Sequence, residues 1–453
     1  MAIAAIATSC TTSGRPVAHR PSQSPTPPLL LGTPSSTPSV SRSVGGSIQP
    51  CPKLANEPIP PSRVSSITAD GRYVSFDSRM RLEPRDQGGN TDVYVADLSS
   101  ECVSLVSVAV SGRSGNGKSS DGDLSDDQTR VAFLSDASDL VRHDVNGQTD
   151  AFVRDRRRHT TMIASVSESG RQANAGVEEI VISGNGRYVA FTSRATNLTT
   201  GLSPRCSSDA SPRACANVFV RDLLKEKTEL VSVGVAGGGG SGDSGSHIGI
   251  SSDGRFVSFD SVAPDLVTND ANGVSDVFIR DRMTSRTRVA SVSSSGARAD
   301  GPSWGASLSG DGSLITFWST ARNLATNAGR ASQIYLREFT TGRTRLVSRD
   351  RAEDAGNAMS IHSVLSENGR YVAFAFYGSN LPGAPAGCGE GGTAQCPNTF
   401  IYDRSHGSLR IIAEGRPNGP SAVSSIRPRV CLGSIEGSQG LVVDVVTGRS
   451  WGF

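Results

Sequence analysis

The chain has 453 residues, 45 basic and 43 acidic, for a net charge of +2. Near-neutrality leaves no bulk-charge argument for nucleic acid or an anionic membrane as partner. With 36% hydrophobic residues, no apolar run approaches the roughly 18 residues of a transmembrane helix. The 50 glycines and 23 prolines, without long stretches of helical apolar spacing, point to an all-β, turn-rich chain.

Residues 1–61 stand apart. Met1–Thr8 is short and apolar but lacks the basic start of a secretory signal, and Cys10 follows Ala7-Thr8-Ser9 without the usual Leu of a lipoprotein attachment site. It reads as an atypical signal remnant, a linker or the product of a misplaced start codon. The Ser/Thr/Pro-rich stretch to Pro61 buries too little apolar surface to order itself.

From residue 62 the chain repeats. A turn pair, Gly-Arg-Tyr/Phe-Val-x-Phe, a polar loop, x-Val-Phe-Val-Arg-Asp and an alternating Val/Ser segment recur in that order. The Phe closing the first block falls at Phe76, Phe133, Phe191, Phe259, Phe317 and Phe374, spaced 57, 58, 68, 58 and 57 residues apart. The long interval holds the Gly-rich insert 234–246, and one further interval lands on Cys431 in a degenerate copy. The second block ends in an acid at Asp97, Asp155, Asp222, Asp281, Glu338, Asp403 and Asp444, so there are seven units, six full and one short.

Each unit reads as four strands, a to d. Asx-Gly pairs such as Asn185-Gly186 and Asp253-Gly254 supply the positive φ of a hairpin turn between a and b. Strands b and c carry β-branched and aromatic residues, and d alternates, as in Glu229-Leu230-Val231-Ser232-Val233. A four-stranded unit repeated radially is a propeller blade; solenoid repeats are usually shorter.

The string SSDGRFVSFDS…NDANGVSDVFIRD (251–281) resembles the TolB-like, WD40-like propeller repeats of bacterial envelope and secreted proteins, and the resemblance covers residues 62–453. It implies a single β-propeller and a periplasmic or secreted location. It says little about activity, because such relatives include translocation-complex scaffolds, lyase-type enzymes and hydrolases with a fused catalytic domain. No fused domain is visible in this chain.

The short seventh unit bears on ring closure. After Val446-Thr447-Gly448 only Arg449–Phe453 remain, too few for a full outer strand, so residues 40–48 are expected to supply it. A six-bladed ring with 422–453 as a cap is the alternative.

Two b–c loops match: Asp144-Val-Asn146-Gly147-Gln-Thr-Asp150 in blade 2 and Asp270-Ala-Asn272-Gly273-Val-Ser-Asp276 in blade 4. Oxygen donors at alternate positions, a Gly-assisted turn and a further Asp suit a hard cation, which makes calcium the candidate cofactor. Carboxylates capping backbone amides in an Asx turn are the competing reading. The same loop position in blades 3 and 6 carries Cys206/Cys215 and Cys388/Cys396, read as disulfide staples in an oxidising compartment. Zinc is disfavoured by the spacing and the absence of His from these loops. Cys51–Cys102 is a further candidate bridge.

Gly242-Asp243-Ser244-Gly245 matches a serine-nucleophile loop only superficially, without partner motifs. The six histidines show no metal spacing, although His247 and His362 fall at or near inner strands. Arg154–His159 reads as a solvated charge run. No catalytic residue is assigned. The preferred function is a monomeric, non-catalytic scaffold binding a protein or peptide on the b–c/d–a loop face, with nucleic acid excluded. The alternative is a hydrolase or polysaccharide lyase acting at the channel mouth, for which Asp123, Glu178, Glu179 and His247 lie near suitable positions.

Overall fold

The computed structural model describes residues 63–202, 206, 213–385, 397–413, 420–423, 429–432, 441–447 and 450–452. The expectations for residues 1–61, Cys51, Cys388 and Cys396 fall outside them. Blade 1 comprises β1 (Arg63–Ile67), β2 (Tyr73–Ser78), β3 (Asp92–Asp97) and β4 (Cys102–Leu105). Blade 2 comprises β5 (Ser119–Leu124), β6 (Arg130–Ser135), β7 (Asp150–Asp155) and β8 (Thr160–Ile163). Blade 3 comprises β9 (Val177–Ile182), β10 (Tyr188–Ser193), β11 (Asn217–Asp222) and β12 (Lys227–Leu230). Blade 4 comprises β13 (Ser244–Ile250), β14 (Phe256–Ser261), β15 (Asp276–Asp281) and β16 (Arg286–Val289). Blade 5 comprises β17 (Ser303–Leu308), β18 (Leu314–Ser319), β19 (Gln333–Glu338) and β20 (Arg343–Leu346). Blade 6 comprises β21 (Ser360–Leu365), β22 (Tyr371–Phe376), β23 (Asn398–Asp403) and β24 (Ser408–Ala413). Blade 7 comprises β25 (Pro420–Val423), β26 (Arg429–Leu432), β27 (Leu441–Asp444) and β28 (Ser450–Gly452). Each blade is an antiparallel sheet in sequential order, and the seven form a ring: a β-propeller.

The repeated residues explain the blade. In the first six, the Phe of strand b stacks on a cross-strand aromatic of strand c, as in Phe133–Phe152 at 5.8 Å and Phe259–Phe278 at 5.7 Å. All these rings are fully buried, each contributing about 1.5–3 kcal/mol from burial. The terminal acid of strand c sits at the same register in all seven sheets. In blades 1, 3, 4 and 6 it accepts two hydrogen bonds from the Arg of the Gly-Arg turn, as in Arg187–Asp222 at 2.9 and 2.7 Å. It also caps the c–d turn, Asp222 accepting from Leu224 N at 3.0 Å. The most conspicuous motif of the repeat is therefore a folding device.

The fourth strand of blade 7 comes from its own unit. The outer strand of blade 7 is β28, from the C-terminal end itself, paired with β27 through Val442↔Trp451. Outer strands in blades 1 to 5 have only four residues, so three suffice here once Trp451 is buried beneath the Arg429 guanidinium. The six-bladed alternative falls with this. Blade 7 packs on blade 1 in a core shared by Val64, Val74, Cys431 and Trp451, and Arg429 Nη1 donates to Gly71 O at 2.6 Å.

Sequential antiparallel order places all b–c and d–a connections on one face and the a–b and c–d turns on the other. Among the described residues no helix is long and apolar enough to cross a membrane.

Candidate functional site at the channel mouth

Inner strands begin on the loop face, and several are bulged there. Pairing slips between Ser120 and Asp123, Ser244 and Ile248, Trp304 and Ser307, and Ile361 and Val364. Asp121, Gly245, Gly305 and His362 adopt φ of 57°, 83°, 69° and 54° at these slips. The left-handed conformation costs a non-glycine residue about 1–2 kcal/mol, and such bulges re-aim side chains. A Cβ on Gly305 would lie 1.5 Å from the Trp318 ring, so glycine there lets the indole lie across the strand.

The result is a polar group around the mouth. Arg63 Nη1 meets Asp121 Oδ1 at 2.5 Å. Beside them Asp77 is pushed up to about 6, by burial and then by the charge of Asp121. Glu179 is exposed, yet desolvation by the surrounding protein raises it to about 7 despite the pull of His247. His247 Nδ1 lies 2.9 Å from Asp260 Oδ2. Burial works against the imidazolium, but the bond to Asp260 and the charge of Glu179 outweigh it and raise its pKa. Trp318 stands between the two histidines, 5.0 Å from His247 and 5.5 Å from His362. His362 is held below its ordinary value by burial and by His247. A carboxyl poised near neutrality beside a His–Asp pair suits proton exchange with a bound polar ligand.

Of the four residues named for an enzyme, only Glu179 and His247 join this group. Glu178 pairs with Arg194 at 3.0 Å. Asp123 is half-buried farther down the channel, accepting from Ile182 N at 2.7 Å. Asp121 and Asp260 were missed because a bulge turns the first toward the mouth and the second lies on strand b. Their common signal is a charge inside an otherwise apolar or Ser-rich strand.

At the opposite end the a–b turns of neighbouring blades meet. Backbone bonds link the a–b turns of neighbouring blades, Asp126 N to Gly184 O at 2.9 Å, Ser252 N to Gly310 O at 2.8 Å and Gly310 N to Glu367 O at 2.7 Å. Asp126 interacts with Glu367, to which Ser252 also donates, and burial together with that neighbour raises Asp126. These residues bound a cavity of about 200 Å³.

The sequence-derived loops take these positions. Cys206 and Cys215 are disulfide-bonded, beside Asp243. Asp243 is clamped by Arg194 through two bonds of 2.7 Å, and Ser244 pairs with Ser261 at 2.8 Å, so the Gly-Asp-Ser-Gly string is structural. Cys102 is also disulfide-bonded. In the Asx loops, Asn146 accepts from Gln148 N at 3.0 Å and Asn272 from Val274 N at 3.3 Å. Asp150 and Asp276 are fully buried and accept from Ser165 and Ser291. Arg154 of the basic run is buried and donates to Thr161 at 2.9 Å.

No family model matches the chain, and no curated protein does. Among solved structures it is similar to TolB from Acinetobacter baumannii, at 13% identity and TM-score 0.41, covering 82% of this chain and 65% of that one. It is also similar to an oligogalacturonate lyase from Vibrio parahaemolyticus, at 12% identity and TM-score 0.50, covering 88% and 91%. A prolyl endopeptidase structure matches at 12% identity and TM-score 0.50, covering 88% of this chain and 50% of its own. The chain thus spans just under two thirds of that TolB. At these identities the likeness is one of fold, the propeller.

Proposed function

We propose that the protein is an extracytoplasmic propeller that binds a protein or peptide partner on its loop face, around the channel mouth. The carrying observation is the composition of that face. Val110, Val145, Val235, Val262 and Met359 are exposed on its loops, and the charged group of Arg63, Asp121, Glu179 and His247 lies on the inner strands of the same face. Exposed apolar side chains rimming polar anchors are what a peptide-binding surface needs. The Cys206–Cys215 bridge supports an oxidising compartment. Val110→Asp with Val235→Asp should abolish capture of a partner from envelope or secreted fractions. Leu224→Asp with Met283→Asp, exposed on the opposite face, should not. Equal loss from both pairs would refute the assignment of the face.

A second reading, catalysis at the mouth, is favoured by one observation: Glu179 stands by the His247–Asp260 pair. A glycan and peptide cleavage screen tests it. Turnover lost in both Glu179→Gln and His247→Gln would establish it, and absence of turnover leaves the binding module.

A further inference from the structure

We propose that the b–c loop of blade 2 is a calcium site, with Asp144, Asn146 and Asp150 as side-chain ligands, and that the matching loop of blade 4 takes no ion because Arg298 already supplies its positive charge. The two loops are alike in sequence, and the structure separates them at two places.

The first is the buried carboxylate. Asp150 is fully buried; one oxygen accepts from Ser165, and Oδ2 has no hydrogen-bond donor. The Asn146 amide donates to Ala173 O at 3.1 Å and favours the charged form of Asp150 without making a well-formed hydrogen bond to this oxygen. In blade 4 the corresponding amide faces the same way but closes on the carboxylate as well, Asn272 Nδ2 donating to Asp276 Oδ2 at 2.6 Å and to Ala299 O at 3.3 Å. A buried carboxylate oxygen left unpaired costs about 1–3 kcal/mol or more, and a cation removes that cost. Asp92 of blade 1 shares the unpaired oxygen. Its loop partner Asp86 is already engaged by Gly88 N at 3.1 Å and the Tyr94 hydroxyl at 2.5 Å.

The second is the residue that braces each loop from the d–a segment. Isolated bridges Val166↔Gln172 and Val292↔Arg298 put Gln172 and Arg298 at equivalent positions. Arg298 Nη2 donates to Thr268 O at 3.2 Å, and its charge bears on both Asp270 and Asp276. Gln172 makes the same kind of brace without charge, donating to His143 O at 2.9 Å and accepting from Val145 N at 3.1 Å. Blade 2 therefore holds two carboxylates and an amide oxygen on a pre-shaped loop with no counter-charge. Hard oxygen donors completed by loop carbonyls and water, about six to eight in all, suit calcium better than the octahedral magnesium ion. Two carboxylates give modest affinity, matched to the millimolar calcium outside cells.

The test is a thermal melt with isothermal titration calorimetry on chelator-treated full-length protein, with calcium chloride and, separately, magnesium chloride at about 1–5 mM. Calcium should bind once per chain and raise the Tm by roughly 2 °C or more. Asp150→Asn and Gln172→Arg should each abolish the rise, the latter in a chain whose circular dichroism is unchanged. Asp276→Asn should retain it, and Arg298→Gln should add a second binding event. No heat and no Tm shift in the native protein, an equal magnesium response, or a rise that survives Gln172→Arg would overturn the proposal.

Discussion

Arg255 holds the carboxylate of Asp281 with two hydrogen bonds of 3.0 and 2.7 Å, joining the a–b turn of blade 4 to the end of its third strand. The pair recurs around the ring because each blade must fix two turns on the same face. Arg255 lies over Phe256 as well, 4.7 Å from the ring centroid, so one side chain orders both turn and strand.

This clamp predicts acid sensitivity. The bond to Arg255 depresses Asp281 to about 2, and the equivalent arginines hold Asp97 and Asp403 well below the ordinary carboxylate range, although Asp97 is opposed by burial. A carboxylate with a depressed folded pKa contributes stability above its unfolded pKa near 4, and loses it as pH falls through the folded value. Denaturant midpoints should fall steeply below pH 4. Asp281→Ala should cost about 1–3 kcal/mol at pH 7, including the lost cap on the c–d turn, and should flatten the acid limb.

Asp92 predicts the opposite slope. Burial raises it to about 7 in spite of the hydroxyl of Ser107. Its folded pKa exceeds the unfolded one, so the native state binds more protons between about pH 4 and 7 and stability declines as pH rises through that window. Asp92→Asn should remove the decline and stabilise the protein at pH 8 by about 1–3 kcal/mol. A variant less stable than the parent at pH 8 would refute this.

Ring closure depends on β28. Trp451→Ala, or truncation after residue 449, should destabilise the whole ring by about 3 kcal/mol or more, because the buried indole seals the blade 7 core shared with blade 1. Deletion of residues 1–49, which keeps Cys51, should leave the melting temperature within a few degrees of the parent, since β28 already fills the outer place in blade 7. Calorimetry of the two truncations distinguishes them.

Peptide mapping without reduction should link Cys206 to Cys215, and by the same loop position Cys388 to Cys396. Reducing the first should cost roughly 2–3 kcal/mol on the chain-entropy model. Free thiols at all four positions in secreted material would remove the argument for an oxidising compartment.

The repeat itself was legible from residue chemistry. Phe76 through Phe374, the Asx-Gly turns and the terminal acids Asp97 through Asp444 mark out seven blades, because propeller strands pair locally and each unit carries its own turns and core. What local pattern could not reach was whatever depends on contacts between units. That Ser450–Gly452 closes the ring follows from packing of Trp451 against blade 1, some 370 residues away in the chain. That Asp121 and Asp260 join Glu179 and His247 follows from bulges in the inner strands and from the radial arrangement of blades. Asp144–Asp150 and Asp270–Asp276 look equivalent along the chain. Their difference lies in Gln172 and Arg298, roughly 25 residues beyond each loop, which only the folded d–a segments bring against the carboxylates. Strand pairing is written in neighbouring residues, whereas the electrostatics of a site is set by charges that the fold alone brings together.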